Sequence, residues 1–269
     1  MSSRRARRIT ATTPAPRPHA LPTTPPPVTR QHWLDGLRGA AVLAMIAYHA
    51  AYDLNFLGWL HQDMNHDLRW RIARSLILGS FLFSVGAAQA LATHQQTPAA
   101  ARWRRIGKIA AAALLVTLGS ALLFPQSIIW FGVLHAITLM SLLLIALQKA
   151  RLDTARTSLL FGFIALILGN VGSHPLFDSP ALAWLGLMTH APDTEDYVPL
   201  LPWFGLCLIG HGFMMWRLQQ SDRPDGTKSS PTRLPHSLLW LGRHSLAIYL
   251  LHQPLLLAIL IPLRHWTAA

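Results

Sequence analysis

The chain has 269 residues, of which 52% are apolar and 13% charged, a balance that excludes an ordinary soluble domain and is typical of a membrane protein. The formal net charge of +12 at pH 7 is distributed along the chain as a topology signal, which argues against a nucleic-acid-binding protein. A single cysteine, Cys207, excludes a disulfide framework and a cysteine-based metal site.

The first 31 residues differ from the rest of the chain. They contain seven prolines and six arginines and almost no large apolar side chain, so they cannot bury a core. No apolar stretch follows the basic start, as a signal peptide would require. We expect a disordered basic tail that keeps the N-terminus in the cytosol and contacts anionic membrane lipid, with no nucleic-acid partner.

Seven apolar segments follow, each long enough to cross a bilayer as an α-helix. The third and fourth are almost continuous and therefore predict a tight hairpin. Together the segments predict an all-α, multi-pass fold in a single transmembrane domain, 32–269. They lie at about 34–57, 71–92, 106–124, 127–148, 157–173, 198–217 and 237–262.

Basic residues indicate how these helices are oriented. Of the 23 lysines and arginines, 17 lie in the tail and in alternate connections, which is the distribution of cytosolic segments. The 174–197 connection, by contrast, contains four acidic residues and no lysine or arginine. We therefore predict about seven spans in the inner (cytoplasmic) membrane, with the N-terminus in the cytosol and the C-terminus outside.

The first apolar segment carries the polar residues Asp35, Arg38, His49 and Asp53. A charge at the bilayer centre costs at least ~2.5–3.5 kcal/mol, so such residues are usually paired or functional. Asp35 is one turn from Arg38, which predicts an ion pair. Arg38, His49 and Asp53 lie near one stripe of the helix. The pattern favours a reaction path in which the arginine holds an anionic donor, the histidine is the base and the carboxylate orients the imidazole.

Two further histidines are predicted to lie near the depth of His49. An α-helix rises ~1.5 Å per residue, which puts His49 ~16 Å above Arg38. By the same rise His252 is ~13–14 Å above Arg243, and His135 is ~18 Å above the inner surface of a ~30 Å core. We expect the three histidines to share one site. The alternatives are that a lone histidine packs as a core residue and that the arginines extend to the interface.

The 174–197 connection is long enough to act as a lid over a site. Trp184 and Tyr197 could stack on a sugar face, and Asp196 adds to the acidic character of the segment. An acidic lid favours a neutral or amino sugar over an anionic one. The alternative is that the connection only caps the helix bundle. No spacing among the histidines of the outer connections supports a metal site.

Four blocks of the sequence, in order along 33–263, resemble the bacterial proteins related to heparan-α-glucosaminide N-acetyltransferase. The first block is also similar to the acyltransferase-3 membrane enzymes, in which an arginine or lysine and a histidine have the spacing of Arg38 and His49. Those enzymes carry an R-x-x-R before the third helix, where this chain has Arg102 and Arg105. The blocks are "LDGLRGAAVLAMIAYHAAYDL", "FGVLHAITLM", "DYVPLLPWFGLCLIGHG" and "LGRHSLAIYLLHQPLLL".

The resemblance implies a membrane-bound O- or N-acyltransferase. An acyl group, expected to be acetyl, would pass from cytosolic acetyl-CoA to a sugar hydroxyl or amine presented from outside, without a metal. Neither His61 nor His66 matches the histidine that follows helix one in the eukaryotic enzyme. Direct transfer and an acyl-histidine intermediate therefore both stay open. The sequence does not indicate the oligomeric state. The resemblance implies His49 as the base and Arg38, Arg102 and Arg105 as ligands of the CoA phosphates. With the residues that the helix pattern and the 174–197 connection predict, the full set is His49, Asp53, His135 and His252 for catalysis, Arg38, Arg102, Arg105 and Arg243 for the donor, and Trp184, Asp196 and Tyr197 for the acceptor.

Two other classes stay open on the residues alone. A proton-coupled transporter or exporter would also place histidine and aspartate at mid-membrane depth, although it would usually show internal repeats, and none is seen here beyond a faint echo between the first and last helices. A membrane haem protein could use His49, His135 and His252 as axial ligands.

Overall fold

The computed structural model describes residues 31–123, 125–194, 196–221 and 234–268. The predicted basic tail, apart from Gln31, lies outside these residues. So do Glu195 of the acidic connection and Arg223, Lys228 and Arg233 of a predicted cytosolic loop. Within the described ranges all regular structure is helical, which confirms the prediction of an all-α fold.

Each of the seven predicted segments contains an α-helix, and two short 3-10 helices, Pro175–Asp178 and Ala183–Leu185, lie in the 174–197 connection. The fourth and sixth helices begin about five residues later than predicted. The α-helices of the described residues are α1 His32–Phe56, α2 Leu68–His94, α3 Ala99–Leu123, α4 Val133–Lys149, α5 Ala155–Val171, α6 Trp203–Ser221, α7 His236–Arg243 and α8 Ser245–Ala268.

Three helical stretches in the described residues are long and apolar enough to cross a membrane. They are α2, α3 and residues Ser245–Thr267 of α8. Helices α4 and α5 are apolar but have 17 residues each. These findings support a membrane protein. The count of seven spans and the orientation of the termini stay predictions.

The last predicted segment is divided in two, which differs from the single helix expected over 237–262. The backbone N–H of His244 donates to the carbonyl oxygens of Trp240 and Leu241, at 3.1 and 3.2 Å, and so ends α7. Helix α7 packs against α1 at positions where each helix has a glycine. A Cβ atom on Gly39 would lie 2.1 Å from the Leu238 carbonyl oxygen, and one on Gly242 would lie 1.9 Å from that of Asp35. This close contact puts the end of α7 beside the start of α1.

Helices α2 and α6 form the centre of the bundle through a similar close approach. A Cβ atom on Gly86 would lie 1.8 Å from the Cys207 carbonyl oxygen, and one on Gly210 would lie 2.1 Å from that of Phe83. Small residues at such contacts let helix backbones approach closely, which is a common device in membrane proteins. A buried apolar cluster that includes Leu82, Met140, Leu144 and Leu208 packs beside this contact.

The 174–197 connection is fastened to the turn between α3 and α4. The Val198 N–H donates to the Phe131 carbonyl oxygen at 3.1 Å, and the Thr194 hydroxyl donates to that of Ile128 at 2.8 Å. The connection is also bonded to itself, since Asp178 accepts hydrogen bonds from the N–H and hydroxyl of Thr189 at 2.7 and 2.8 Å. It therefore has a defined structure over the end of the bundle.

Candidate functional site

Two of the three predicted histidines meet between α1 and α8. The imidazole centroids of His49 and His252 are 4.9 Å apart, with the rings inclined at 62°. His252 is 8% exposed, whereas His49 is half-buried. The depths estimated from the helical rise thus predicted that these two residues, far apart in sequence, lie close together.

The hydrogen bond of His252 to its own helix determines which ring nitrogen carries the proton. Its Nδ1 atom lies 2.7 Å from the carbonyl oxygen of Tyr249, and a carbonyl can only accept. We therefore assign the proton to Nδ1 and a lone pair to Nε2. Nε2 is buried and has no hydrogen-bond partner among the described residues. Chemically, it is a base held in a fixed orientation and ready to accept a proton.

Asp53 lies one turn beyond His49 and has a partner that the sequence did not predict. The Gln253 amide nitrogen donates to Asp53 Oδ1 at 2.8 Å, and Asp53 is only 2% exposed. The expected contact, in which Asp53 orients His49, is replaced by this pair. The sequence contained one signal for this pair, the amide of Gln253 directly after His252 in an apolar helix, because a buried amide requires a hydrogen-bond partner.

The start of α1 and the end of α7 share one carboxylate. Asp35 is 5% exposed, and its Oδ1 and Oδ2 atoms each lie 3.5 Å from a guanidinium nitrogen, of Arg38 and Arg243 respectively. The predicted pair of Asp35 and Arg38 is confirmed, and Arg243 joins it. Arg38 also donates to the carbonyl oxygen of Ser84 in α2 at 3.3 Å. The two predicted donor-binding arginines thus meet at one end of the bundle.

These contacts occur in the same order along α1 and along the segment formed by α7 and α8. Asp35 meets Arg243, His49 meets His252, and Asp53 meets Gln253. Farther on, the Arg264 side chain donates to the Leu57 carbonyl oxygen at 2.9 Å. Helices α1 and α8 therefore run in the same direction, with the two arginines on one side of the histidines and Arg264 on the other.

Arg102 and Arg105 line a cavity between α2, α3 and α4. Its volume is about 80 Å³, and Gln89, Thr97 and Ser141 supply the other polar groups of its wall. Arg102 donates to the Gln148 side-chain oxygen at 2.8 Å and, more weakly, to Thr93. The Nε atom of Arg102 and the amide nitrogen of Gln89 are buried without a partner in the described residues. The cavity therefore presents unused donors, which suit an anionic or carbonyl group.

His135 lies apart from the histidine pair, at the start of α4. Its Nδ1 accepts from the Gly132 N–H at 3.3 Å, and its Nε2 is 3.1 Å from the Thr117 hydroxyl oxygen. That hydroxyl donates to the Ile129 carbonyl oxygen at 2.7 Å, so it must accept from Nε2–H. Both ring nitrogens are thus engaged in holding the turn between α3 and α4. The catalytic role expected of His135 stays a prediction.

Asp196 connects the lid segment to α4 and α8. Its Oδ2 accepts from the Val133 N–H at 2.9 Å and from the Tyr249 hydroxyl at 3.3 Å. Gly132 makes room for it, since a Cβ atom there would lie 2.2 Å from Oδ2. Burial raises the pKa of the Asp196 carboxyl, although these two hydrogen bonds and the charge of Arg74 act in the opposite direction. Asp196 is thereby linked to the helix turn that bears His252.

Trp184 and Tyr197 use their polar atoms inside the connection. The Tyr197 hydroxyl donates to the Ala183 carbonyl oxygen at 2.7 Å, and the Trp184 indole N–H donates to that of Ala181 at 3.0 Å. Burial raises the pKa of the Tyr197 hydroxyl. Both rings are half-buried, so the described contacts leave part of each ring available to a ligand.

The remaining buried histidine, His211, is a packing residue by its contacts. It is 2% exposed, and its Nδ1 lies 3.0 Å from the Ser158 hydroxyl. No group of three or more histidine, cysteine or acidic residues is arranged to hold a metal ion in the described ranges. The expectation of a metal-free site stays a prediction.

A comparison with protein families gives one match. The family model described as heparan-alpha-glucosaminide N-acetyltransferase, catalytic, matches residues 30–254, which is most of the chain and includes both histidines and the Asp53–Gln253 pair. No curated protein and no solved structure matches the chain. The match agrees with the resemblance carried by the four sequence blocks.

Proposed function

We propose that this chain, which belongs to the heparan-α-glucosaminide N-acetyltransferase catalytic family, is a membrane acetyltransferase that transfers the acetyl group of acetyl-CoA to a sugar hydroxyl or amine. The observation that carries the proposal is the contact of His49 with His252, whose Nε2 lone pair is buried and unpartnered among the described residues. The protein acts in the inner membrane, with the arginines on the cytosolic side and the acceptor entering from outside.

His252 is the general base of the proposed reaction. Its Nε2 takes the proton from the acceptor O–H or N–H as that oxygen or nitrogen attacks the thioester carbonyl carbon. The carbon–sulfur bond then breaks, and the protonated imidazole returns the proton to the CoA thiolate. Because Nδ1–H is bonded to the Tyr249 carbonyl, the ring does not have to reorient between the two steps. The sequence analysis assigns the base to His49, whereas the hydrogen bonding favours His252.

His49 contributes the second group that acyl transfer requires. Attack on the thioester develops negative charge on the carbonyl oxygen, and a fixed N–H donor beside it lowers the barrier. A neutral imidazole has one such N–H, and His49 is in contact with the base and half-buried. We assign the N–H of His49 to this oxygen, which makes the transfer direct and without an acyl-histidine intermediate.

The donor binds on the side of the arginines. A cavity of about 80 Å³ is smaller than the ~300–1,000 Å³ of most small-molecule sites, so it accepts only a phosphate-sized part of acetyl-CoA. Arg102 and Arg105 supply the positive charge there. Arg38 on α1 and Arg243 on α7, which face Asp35, supply a second positive region.

The acceptor approaches beneath the 174–197 connection. The half-buried rings of Trp184 and Tyr197 offer apolar faces to a sugar, and Asp196 joins the connection to Tyr249, one turn before His252. The geometry argues against a haem held between His49 and His252, because rings in contact at 4.9 Å leave no space for a porphyrin plane. No observation in the described residues favours transport over transfer.

The experiment is an acetyl-transfer assay with the full chain purified in detergent. Radiolabelled acetyl-CoA is supplied with D-glucose or D-glucosamine, and labelled sugar is measured alongside free CoA. We expect equal amounts of acetylated sugar and free CoA, together with thermal stabilisation by acetyl-CoA that a phosphate-matched nucleotide does not reproduce. The proposal is wrong if acetyl-CoA at millimolar concentration does not bind the protein, or if neither sugar is acetylated.

A further inference from the structure

Three buried polar atoms without partners belong to residues that are neighbours where α1 meets α8. They are Oδ2 of Asp53, Oε1 of Gln253 and Nε2 of His252, and none has a hydrogen-bond partner among the described residues. Asp53 and His252 are both more than nine-tenths buried, at 2% and 8% exposure. Folded proteins leave few buried polar atoms unpaired, and each one destabilises the fold. Such a group needs an explanation, and a polar ligand is one.

All three atoms accept hydrogen bonds. The Gln253 amide nitrogen faces Asp53 Oδ1 at 2.8 Å, so its Oε1 is the atom left over. The carboxylate likewise retains Oδ2, and the bond from Nδ1 of His252 to Tyr249 leaves Nε2 as an acceptor. A group of acceptors fits a ligand that brings several donors, such as neighbouring hydroxyls or a hydroxyl beside an amine. It does not fit a ligand with a single hydroxyl.

We propose that Asp53 and Gln253 form a binding point for the acceptor hydroxyl or amine next to the one that is acetylated. This inference rests on the proposed function, because it takes His252 as the base for the reacting group. Asp53 follows His49 by one turn, ~6 Å along α1 at ~1.5 Å per residue, and Gln253 directly follows His252. The site therefore holds two adjacent donors of one molecule, the first on His252 and the second on the Asp53–Gln253 pair.

The consequence is selection for polyols and amino alcohols over simple alcohols. A site built to hydrogen-bond a hydroxyl discriminates against an analogue that lacks it, because its own buried groups are then left unpaired. Two neighbouring hydroxyls satisfy His252 and one atom of the Asp53–Gln253 pair, and a hydroxyl beside an amine can satisfy all three acceptors, whereas a ring with one hydroxyl satisfies only His252. Asp53 and Gln253 thereby determine specificity without touching the thioester.

The test compares acceptors of similar size. Acetyl transfer by the full chain is measured with D-glucose, D-glucosamine and cyclohexanol, and the preference is the ratio of kcat/KM for each sugar to that for cyclohexanol. In Gln253→Leu we expect this preference to fall about threefold to tenfold, the range for loss of an uncharged hydrogen bond. In Asp53→Asn we expect about tenfold or more, since the lost acceptor is charged. The KM for acetyl-CoA should change by less than about twofold in both variants.

Two variants with the same side-chain changes serve as controls. Gln219→Leu and Asp193→Asn make the same changes at exposed positions and should keep the preference of the wild type. If Asp53→Asn does not fold, Gln253→Leu carries the test alone. An unchanged preference in a folded Gln253→Leu overturns this inference and leaves the acetyltransferase standing, with the three atoms holding only water. If the wild type acetylates none of the three acceptors, the proposed function is itself wrong.

Discussion

The Nδ1 atom of His252 lies 2.7 Å from the carbonyl oxygen of Tyr249, three residues earlier in the same helix. This bond holds the imidazole in one tautomer, with the lone pair on the buried Nε2. A helix carbonyl here does the work that a separate carboxylate does in many histidine-based sites. The carboxylate expected in that role, Asp53, is bonded to Gln253 instead.

Removing the base should slow the chemical step. We expect His252→Ala to lower kcat by ~10²–10⁴-fold, the usual contribution of a general base, with little change in the KM for acetyl-CoA. His49→Ala should lower kcat by ~10²–10³-fold, as loss of one oxyanion donor does. Steady-state kinetics on folded protein check both values, with His265→Ala as the exposed control on α8. Normal turnover in His252→Ala together with an inactive His49→Ala would show that His49, and not His252, is the general base.

Removing the cavity arginines should weaken donor binding. In Arg102→Ala combined with Arg105→Ala we expect the Kd for acetyl-CoA to rise about tenfold or more, because charged hydrogen bonds to phosphate are lost. The effect should shrink at high salt, where the charges are screened. Arg104→Ala is the matched control, since this exposed neighbour does not line the cavity. Equal weakening by Arg104→Ala would mean that only the general charge of the loop matters.

Neutralising Asp35 should destabilise the fold. Asp35→Asn leaves Arg38 and Arg243 close together without their shared counter-charge. Loss of one partner from a fully buried ion pair costs ~3–5 kcal/mol, and the partial exposure of both guanidinium groups reduces this to an expected ~1–2 kcal/mol. Thermal unfolding in detergent should show a Tm lower by several degrees. Asp193→Asn, at an exposed site, should leave Tm unchanged, and an unchanged Tm in Asp35→Asn would show that the three-residue cluster adds no stability.

The carboxyl of Asp196 should make stability depend on pH. Burial raises its pKa in the folded chain, so the folded state binds a proton that the unfolded state releases. Stability from this group is fully present below the usual aspartate pKa of ~3.9 and is lost as pH rises through the raised value. Tyr249 from α8, Arg74 from α2 and the Val133 N–H from α4 all face it.

The measurement for Asp196 is Tm as a function of pH in detergent. Tm should fall as pH increases from about 4 toward neutrality, and Asp196→Asn should remove that part of the slope. Asp193→Asn serves again as the exposed control. If Tm depends on pH equally in the wild type and in Asp196→Asn, other groups cause that dependence.

Local features of this chain could be predicted well. The apolar segments identified seven helical regions, and the spacing of Asp35 and Arg38 predicted their ion pair, because both depend on neighbours in one helix. The common depth of His49 and His252 also followed from the helical rise. His135 shows the limit of that method, since its ring bonds to Thr117 and Gly132 and the helical rise says nothing about which way a side chain is turned about the helix axis.

The order of residues was enough to predict an all-helical, membrane-type chain of this family and the polar residues that it carries into apolar helices. Which of those residues meet depends on how the helices pack. The break at His244 and the close contact of Gly39 with α7 bring Arg243 to Asp35, and the rotation of α8 against α1 brings Gln253 to Asp53. The physical reason is that composition and periodicity fix a helix and its depth, whereas the rotation and register of two helices depend on how their small and large side chains pack together.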